Sequence, residues 1–229
     1  MKSTIAENYK RIREEIPEDV SIVVAAKTRT KEEIIEVIDA GAEIIGENYV
    51  QEAEKIYQLL GDRAKAVKWH MIGELQKNKI NKALRVFDVI ETVDSLKKAD
   101  DINKRAERQE RFVRVFIEIN IGSEFTKAGV RPEYEAVIEL AEHISNLKYL
   151  KLNGLMTMGP RAGNPEESRP YFKKTKEFFE KIRALDLPNV EMDYLSMGMS
   201  NSYQVAIEEG ANMVRLGTVI FGERACSLT

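Results

Sequence analysis

A lysine at the end of an apolar segment is the first residue whose surroundings suggest chemistry. Lys27 directly follows the small, apolar run at 21–26. Burial beside such a run would lower the pKa of the amine, and a neutral amine is the form that attacks carbonyl groups. The alternative is a structural lysine whose ammonium reaches solvent beside Arg29 and Lys31. Taken alone, the strand pattern favours this second interpretation.

An arginine near the carboxyl end of the chain is the second candidate. In a strand, Met213, Arg215 and Gly217 would share one face, because side chains alternate with a period of two. A guanidinium that points inward needs a fixed partner, since an unpaired buried charge is costly. That partner would be either a structural carboxylate or an acceptor on a bound ligand.

Two loops combine glycine with a hydroxyl group. The segment 196–201 reads Ser-Met-Gly-Met-Ser-Asn, in which the glycine would let the backbone approach a ligand and Ser200 would open a helix over 201–209. Free N–H groups at a helix start favour an anion, and Gly217 and Thr218 offer a second glycine and hydroxyl. The alternative is that Ser200 is only an N-cap and the glycines only serve turns. Together with Lys27, the two loops indicate a phosphorylated aldehyde that forms an imine.

The remaining polar residues favour few other chemistries. His70 would either line the same site or be a core histidine with a satisfied hydrogen bond, and His143 is predicted on a helix surface. Two histidines without a Cys/His/carboxylate cluster predict no metal site. The chain has no GxSxG, GxxxxGK[ST] or GxGxxG, which argues against serine hydrolase, P-loop and Rossmann functions. The single cysteine, Cys226, excludes a disulfide framework and indicates a cytoplasmic protein.

The elements that must position these residues alternate along the chain. Short apolar, β-rich runs are separated by amphipathic helical segments such as 31–40 and 166–185, and a leading helix covers 5–15. The eight runs are 21–26, 43–46, 68–72, 86–90, 113–119, 150–156, 192–195 and 213–217. This alternation predicts an α/β fold, a (β/α)8 TIM-type barrel, with a doubly wound open sheet as the alternative. No linker divides residues 1–229, so one domain is predicted.

A barrel would gather the candidates at one rim. Active residues of such barrels lie at the carboxyl ends of the strands, where Lys27 ends the first run and Asn48 follows the second. The loops after the seventh and eighth strands are the ones that often hold phosphate. Local signals support the helix count, since Thr30 and Glu33 form a capping-box pattern and Gly41 and Gly210 follow helical runs.

Charge and hydropathy exclude two classes of partner. The net charge is −3, and the most basic stretch, 97–114, alternates in sign, as a solvated helix face does. Nucleic-acid binding is therefore not expected. No apolar run is long enough to cross a bilayer, and the first residues lack the apolar core of a signal peptide.

Six segments in order resemble a known family. They are 26–28, 46–52, 69–79, 154–156, 196–200 and 214–222. They are similar to the pyridoxal phosphate homeostasis proteins (YggS-type), a barrel family like the N-terminal domain of alanine racemase. Two positions depart from the pattern: Ala26 stands where serine is usual, and the loop 122–129 keeps only the lysine and glycine of the family.

The resemblance implies a cofactor and its contacts. It implies pyridoxal 5′-phosphate (PLP), the active form of vitamin B6, held as a covalent Schiff base on Lys27 with Asn48 near the ring. Ser200, Gly217 and Thr218 would hold the phosphate, and Arg215 would face the pyridine nitrogen. A cation that keeps its proton leaves that nitrogen unprotonated, which weakens the ring as an electron sink and disfavours transamination or decarboxylation.

The resulting expectation is a PLP carrier rather than an enzyme. Such a monomeric, cytoplasmic protein would buffer PLP and supply it to PLP-dependent apo-enzymes, which would alter amino-acid and keto-acid balance indirectly. One alternative is an amino-acid racemase of limited activity. Alanine racemase takes a second base from an extra carboxyl-terminal domain and a dimer partner, whereas this sequence ends at Thr229, soon after the eighth run. A further alternative is a Schiff-base aldolase acting on a phosphorylated sugar.

Overall fold

Eight parallel strands alternate with helices in the computed structural model, which describes residues 4–122, 128–159 and 163–223. The strands are β1 (Ser21–Ala25), β2 (Ile44–Glu47), β3 (Lys68–Met71), β4 (Val89–Val93), β5 (Val113–Ile119), β6 (Leu150–Thr157), β7 (Val190–Ser196) and β8 (Met213–Leu216). Within the described ranges the α-helices are α1 (Ile5–Glu15), α2 (Lys31–Asp39), α3 (Val50–Leu60), α4 (Ile80–Val86), α5 (Leu96–Arg108), α6 (Tyr134–Ser145), α7 (Arg169–Ala184), α8 (Tyr203–Glu208) and α9 (Thr218–Phe221).

The strands close into a barrel. They neighbour one another in chain order, and β8 pairs in parallel with β1, where Ile22 lies opposite Val214. The predicted (β/α)8 barrel is therefore confirmed, and the doubly wound open sheet is wrong. Because all strands run in one direction, the loops that follow them meet at a single rim.

Alternation along the strands produces two cores. One face of each strand packs against the surrounding helices, and the other fills the inside of the barrel. The apolar residues buried inside are Val23, Ile44, Ile72, Val89, Phe116, Met156 and Met213. A glycine is required among them at Gly46, where a Cβ atom would lie 2.6 Å from Cγ1 of Val23. The interior is thus packed and leaves space for a ligand only near the rim.

Capping residues set several helix ends as expected. Thr30 and Glu33 form a reciprocal capping box at the start of α2, which confirms that prediction. Gly41 (φ 106°) and Gly210 (φ 90°) follow α2 and α8 in the left-handed region, as predicted for helix-ending glycines. The leading helix α1 has its expected bounds, and Nδ2 of Asn8 donates a 2.9 Å hydrogen bond to the Ile220 carbonyl.

Three boundaries differ from the sequence-based expectation. Strand β1 stops at Ala25, so Lys27 lies in the turn beyond it. The helix expected over 201–209 is shorter, at Tyr203–Glu208. The helix expected over 166–185 begins with a separate 3-10 turn, Pro165–Ser168, because the Asn164 side chain accepts the N–H of Glu166 and starts a tighter coil.

Three expectations remain, of which two concern residues outside the described part of the chain and one concerns membranes. Cys226 and most of the variable loop 122–129 lie outside the described residues. Among the residues that are described, no helix is both long and apolar enough to traverse a bilayer.

Candidate functional site

A cavity of about 800 Å³ opens at the rim formed by the carboxyl ends of the strands. This volume is in the usual range for small-molecule sites. All six residues singled out from the sequence are among those that line it: Lys27, Asn48, Ser200, Arg215, Gly217 and Thr218. The barrel therefore brings together residues that are up to 191 positions apart in a chain of 229.

The turn that carries Lys27 has an unusual backbone. Thr28 has a φ of 64°, in the left-handed region that a β-branched residue seldom adopts. Its N–H donates to Oε2 of Glu52 on α3 at 3.3 Å, which helps to hold the turn. Local strain of this kind is concentrated at functional sites. Lys27 itself is half-buried on the cavity wall, and the lowered pKa expected for its amine stays a prediction.

Arg215 points into the barrel, on the face that the period-two pattern assigned to it together with Met213. It is 4% exposed, and NH1 donates to the carbonyl (2.9 Å) and hydroxyl (2.7 Å) of Ser196. NH2 donates to the Thr157 carbonyl at 2.7 Å. Nε has no acceptor among the described residues. The guanidinium is thus held at both terminal nitrogens by three hydrogen bonds, while its Nε–H remains for a ligand.

A buried network extends from Arg215 into the barrel. Oε2 of Glu91 accepts the hydroxyl of Ser196 at 2.7 Å, and Oε1 lies 2.6 Å from Nδ1 of His70. Burial alone would raise the pKa of Glu91. The hydrogen bond and charge of His70, the charge of Arg215 and the Ser196 hydroxyl instead hold that pKa below its ordinary value. Glu91 is therefore ionised, and beneath the cavity it fixes the positions of Ser196 and His70.

One member of this network had two possible roles from the sequence, and two members were not predicted. His70 is 2% exposed and packs inside the barrel rather than lining the cavity, so the core-histidine alternative is confirmed. Glu91 and Ser196 were not predicted as site residues. The signal for Glu91 was present, because alternation from Val89 places its charge on the interior face.

The Ser200 hydroxyl joins the loops after β7 and β8. Its Oγ accepts from the N–H of Gly217 at 3.3 Å and from the N–H of Val219 at 3.4 Å. The N-cap role proposed as an alternative for Ser200 is wrong, since α8 begins three residues later at Tyr203. Two backbone donors therefore converge on one oxygen beside Thr218.

Gly198 has a role in packing that was not expected. Its φ is 87°, and a Cβ atom there would lie 2.6 Å from Cβ of Ala206 and 2.9 Å from Cα of Tyr203. The glycine lets the loop pack on α8. Its predicted purpose, close approach of the backbone to a ligand, stays a prediction.

Two buried oxygens at the cavity lack hydrogen-bond partners. Oδ1 of Asn48 and Oε2 of Glu118 both belong to lining residues, and neither has a partner in the described structure. Buried polar atoms are nearly always satisfied, so orphaned ones in a cavity indicate a ligand. Gly73 permits the position of Asn48, since a Cβ atom on Gly73 would lie 2.4 Å from the Asn48 carbonyl oxygen.

Glu118 was not identified from the sequence. It is 3% exposed at the end of β5, where alternation from Phe116 points it inward. Burial raises the pKa of its carboxyl to about 7, with Asp94 and Glu74 acting in the same direction and Lys98 and Arg215 against it. A carboxyl group that titrates near neutrality in a cleft is a functional candidate.

Comparison with known proteins gives consistent matches over the whole barrel. The sequence pattern of the family described as "Alanine racemase, N-terminal domain" matches residues 2–225. A curated relative from Aquifex aeolicus, named pyridoxal phosphate homeostasis protein, is 44% identical over 200 residues, which cover 87% of this chain and 85% of the relative.

Solved structures extend this comparison to three dimensions. PipY of Synechococcus elongatus, described with PLP bound, superposes with a TM-score of 0.87 at 30% identity and covers 96% of this chain and all of PipY. Alanine racemase from Clostridium difficile superposes with a TM-score of 0.78 at 19% identity, covering 98% of this chain and 58% of the racemase. The second similarity shows the barrel fold alone.

Proposed function

The chain belongs to the alanine racemase N-terminal domain family, among the pyridoxal phosphate homeostasis proteins, and we propose that it binds PLP through Lys27 and serves PLP homeostasis. The observation that carries the proposal is that an amine, an arginine and two loops that each contribute a hydroxyl group surround one cavity. Relatives support it through their names, and PipY supports it because it is described with PLP bound.

The loops after β7 and β8 fit the phosphate. Gly217 and Val219 direct their N–H groups at the oxygen of Ser200, and a phosphate oxygen is an acceptor of the same kind. Thr218 adds a hydroxyl on the cavity wall. Concave arrangements of successive backbone N–H groups are common anion sites. Ser200, Gly217 and Thr218 would thus hold the phosphate.

The aldehyde and the ring of the cofactor also have matching groups in the cavity. When bound, PLP supplies an aldehyde that forms a reversible covalent bond with an amine, and Lys27 is the lysine that lines the described cavity wall. The unpartnered Oδ1 of Asn48 fits a polar substituent of the ring. The Nε–H of Arg215 would face the pyridine nitrogen, which stays unprotonated because an arginine does not release its proton.

A carrier function follows from this arrangement more directly than catalysis. A pyridine ring without its proton withdraws electrons weakly, so the residues hold the cofactor without promoting most of its reactions. We therefore assign residues 1–229 to a single monomeric, cytoplasmic domain that buffers PLP and supplies it to apo-enzymes. The single cysteine supports the cytoplasmic assignment. The monomeric state is tested by size-exclusion chromatography coupled to light scattering, which gives the molar mass in solution.

An absorption spectrum tests the proposed function. Purified protein mixed with PLP and then desalted should keep a visible absorption band. Lys27→Ala should lose that band, and the control Lys31→Ala, at the start of α2, should keep it. A Lys27→Ala protein with the full band would contradict the proposal. Wild-type protein that stays colourless would favour an aldolase.

A second measurement separates the carrier from a racemase. The holoprotein is incubated with L-alanine in deuterated water, and loss of the α-proton is followed by NMR. A carrier should exchange this proton no faster than free PLP does. Exchange well above that background would favour the racemase instead.

A further inference from the structure

The charged residues that line the cavity are distributed unevenly around it. Among the described lining residues, the positive charges are Lys27, Arg29 and Arg215 and the negative ones are Glu74 and Glu118. Arg29 is near the loops proposed to hold phosphate, because it donates to the Gly222 carbonyl at 3.1 Å. The cations therefore border the proposed lysine and phosphate side of the site.

Glu118 lies across the barrel from Lys27. It belongs to β5, which is four strands from β1 in either direction around the closed sheet. Its side chain is almost fully buried, and Oε2 has no partner within the described residues. Glu74, exposed in the loop after β3, adds a second carboxylate to this wall. We call these two residues the acidic wall.

The described cations around the cavity have other partners. Both terminal nitrogens of Arg215 are bonded to Ser196 and Thr157, and Arg29 is paired with Glu33 at 3.1 Å. A second anionic group on a ligand that extends towards β5 would therefore meet the carboxylate of Glu118, whose Oε2 has no hydrogen-bond partner among the described residues. Repulsion between two charges is strong where water is excluded.

We propose that Glu118 determines the specificity of the cavity, which admits phosphorylated pyridine ligands with neutral or amine substituents and rejects those carrying a carboxylate, such as α-amino acid conjugates. The inference rests on the proposed function, because it assumes that the phosphate lies at Ser200, Gly217 and Thr218. It provides a reason for the cofactor to remain bound among free amino acids. By rejecting these conjugates, Glu118 would favour storage of the cofactor over its reaction with amino acids.

The discrimination should depend on pH. Burial, Asp94 and Glu74 raise the pKa of Glu118, to about 7, whereas Lys98 and Arg215 lower it. Above pH 7 Glu118 is mainly ionised and repels a carboxylate. Below pH 7 it is mainly protonated and can donate a hydrogen bond, so the discrimination should disappear.

Two stable ligands test the inference without any reaction. Borohydride-reduced conjugates of PLP with ethylamine and with L-alanine differ by one carboxylate, and calorimetry on the apo-protein gives both dissociation constants. At pH 8.5 the alanine conjugate should bind on the order of tenfold more weakly. Glu118→Gln should bring the two constants close together. The control Glu74→Gln should change their ratio much less, because its charge is exposed and screened.

The outcomes separate this inference from the proposed function. A ratio that is equal in wild type and Glu118→Gln overturns the role of Glu118 while PLP binding stands. A wild-type protein that takes neither PLP nor either conjugate overturns the proposed function and the inference together. Should Glu118→Gln fail to fold, the wild-type ratio from pH 8.5 to pH 6 decides: it should fall towards one, and a constant ratio overturns the inference.

Discussion

Nδ1 of His70 lies 2.6 Å from Oε1 of Glu91 inside the barrel, and this buried pair is connected to the cavity. The second carboxylate oxygen of Glu91 accepts the hydroxyl of Ser196, which in turn accepts from Arg215. A histidine and an acid that do not line the cavity therefore help to fix the guanidinium proposed to face the cofactor ring.

Removing the charge of Glu91 should destabilise the fold. Glu91→Gln removes the buried charge that pairs with His70 and acts on Arg215, and breaking a buried charge pair costs about 3–5 kcal/mol. Urea unfolding at pH 7 measures the loss. The exposed carboxylate of Glu107 on α5 provides a control, since Glu107→Gln should change stability by less than about 0.5 kcal/mol. An unchanged midpoint for Glu91→Gln would show that the network contributes nothing.

The same pair predicts a loss of stability in acid. The pKa of Glu91 is lowered in the folded state, so its contribution is present above the unfolded pKa of about 4.3 and is lost as pH falls through the folded value. The difference in unfolding free energy between wild type and Glu91→Gln should therefore shrink below pH 4. A difference that stays constant down to pH 3 would contradict the lowered pKa.

Much of this arrangement could be predicted from the sequence. Alternating apolar runs predicted the barrel. The rule that barrels act at their carboxyl rim, the alternation along the eighth strand and the family resemblance together pointed to six residues that line one cavity. The pattern could not give the end of β1 or the start of α8, because contacts across the fold hold the turns beside them. Glu52 on α3 accepts the N–H of Thr28, and Ser200 accepts the N–H groups of Gly217 and Val219. It could not give the role of Gly198 either, since its neighbour is a helix eight residues away in sequence.

The inward acids were harder to identify. Glu91 and Glu118 stand within apolar strands, where alternation shows that they point inward. Alternation does not show which side-chain atoms meet inside the barrel. The link between Glu91 and Ser196 joins residues 105 positions apart. Only the closed sheet brings them into contact.

Removing the hydroxyls proposed to hold phosphate should release PLP. Ser200→Ala and Thr218→Ala should each weaken retention by about 1–3 kcal/mol, the range for a hydrogen bond to a charged group. Ser202→Ala is a matched control, because the Ser202 hydroxyl accepts the N–H of Met199, at 3.3 Å, within its own loop. Equilibrium dialysis gives the dissociation constants. Unchanged retention in the double variant Ser200→Ala/Thr218→Ala would refute the phosphate assignment.

Lysine should not replace Arg215. Its guanidinium reaches Ser196 and Thr157 with separate nitrogens and leaves Nε for a ligand, a geometry that a single ammonium cannot reproduce. Arg215→Lys should therefore bind PLP about tenfold more weakly, the consequence of losing about 1.4 kcal/mol. Arg29→Lys, also on the cavity wall, is the control and should retain most of the affinity. Equal affinity in both variants would contradict the role given to Arg215.

Glu47, on the helix-facing side of β2, should destabilise the protein at high pH. Burial and the charge of Glu52 raise its pKa to about 8, against the effects of the Asn48 backbone and Lys27. A raised acid pKa costs stability as pH rises from the unfolded value towards the folded one. Glu47→Gln should thus stabilise the apo-protein by about 1 kcal/mol at pH 5 and about 5 kcal/mol at pH 9. Urea unfolding of Glu47→Gln and the exposed control Glu43→Gln checks this. A gain that does not grow with pH would contradict the raised pKa.

The most direct test of the account is to locate the bound cofactor on the chain. Protein loaded with PLP is reduced with borohydride, digested and analysed by mass spectrometry, which identifies the modified lysine. The account predicts one phosphopyridoxyl group per chain, on the peptide that contains Lys27. Label spread over surface lysines, or a stoichiometric label on any residue other than Lys27, would contradict it.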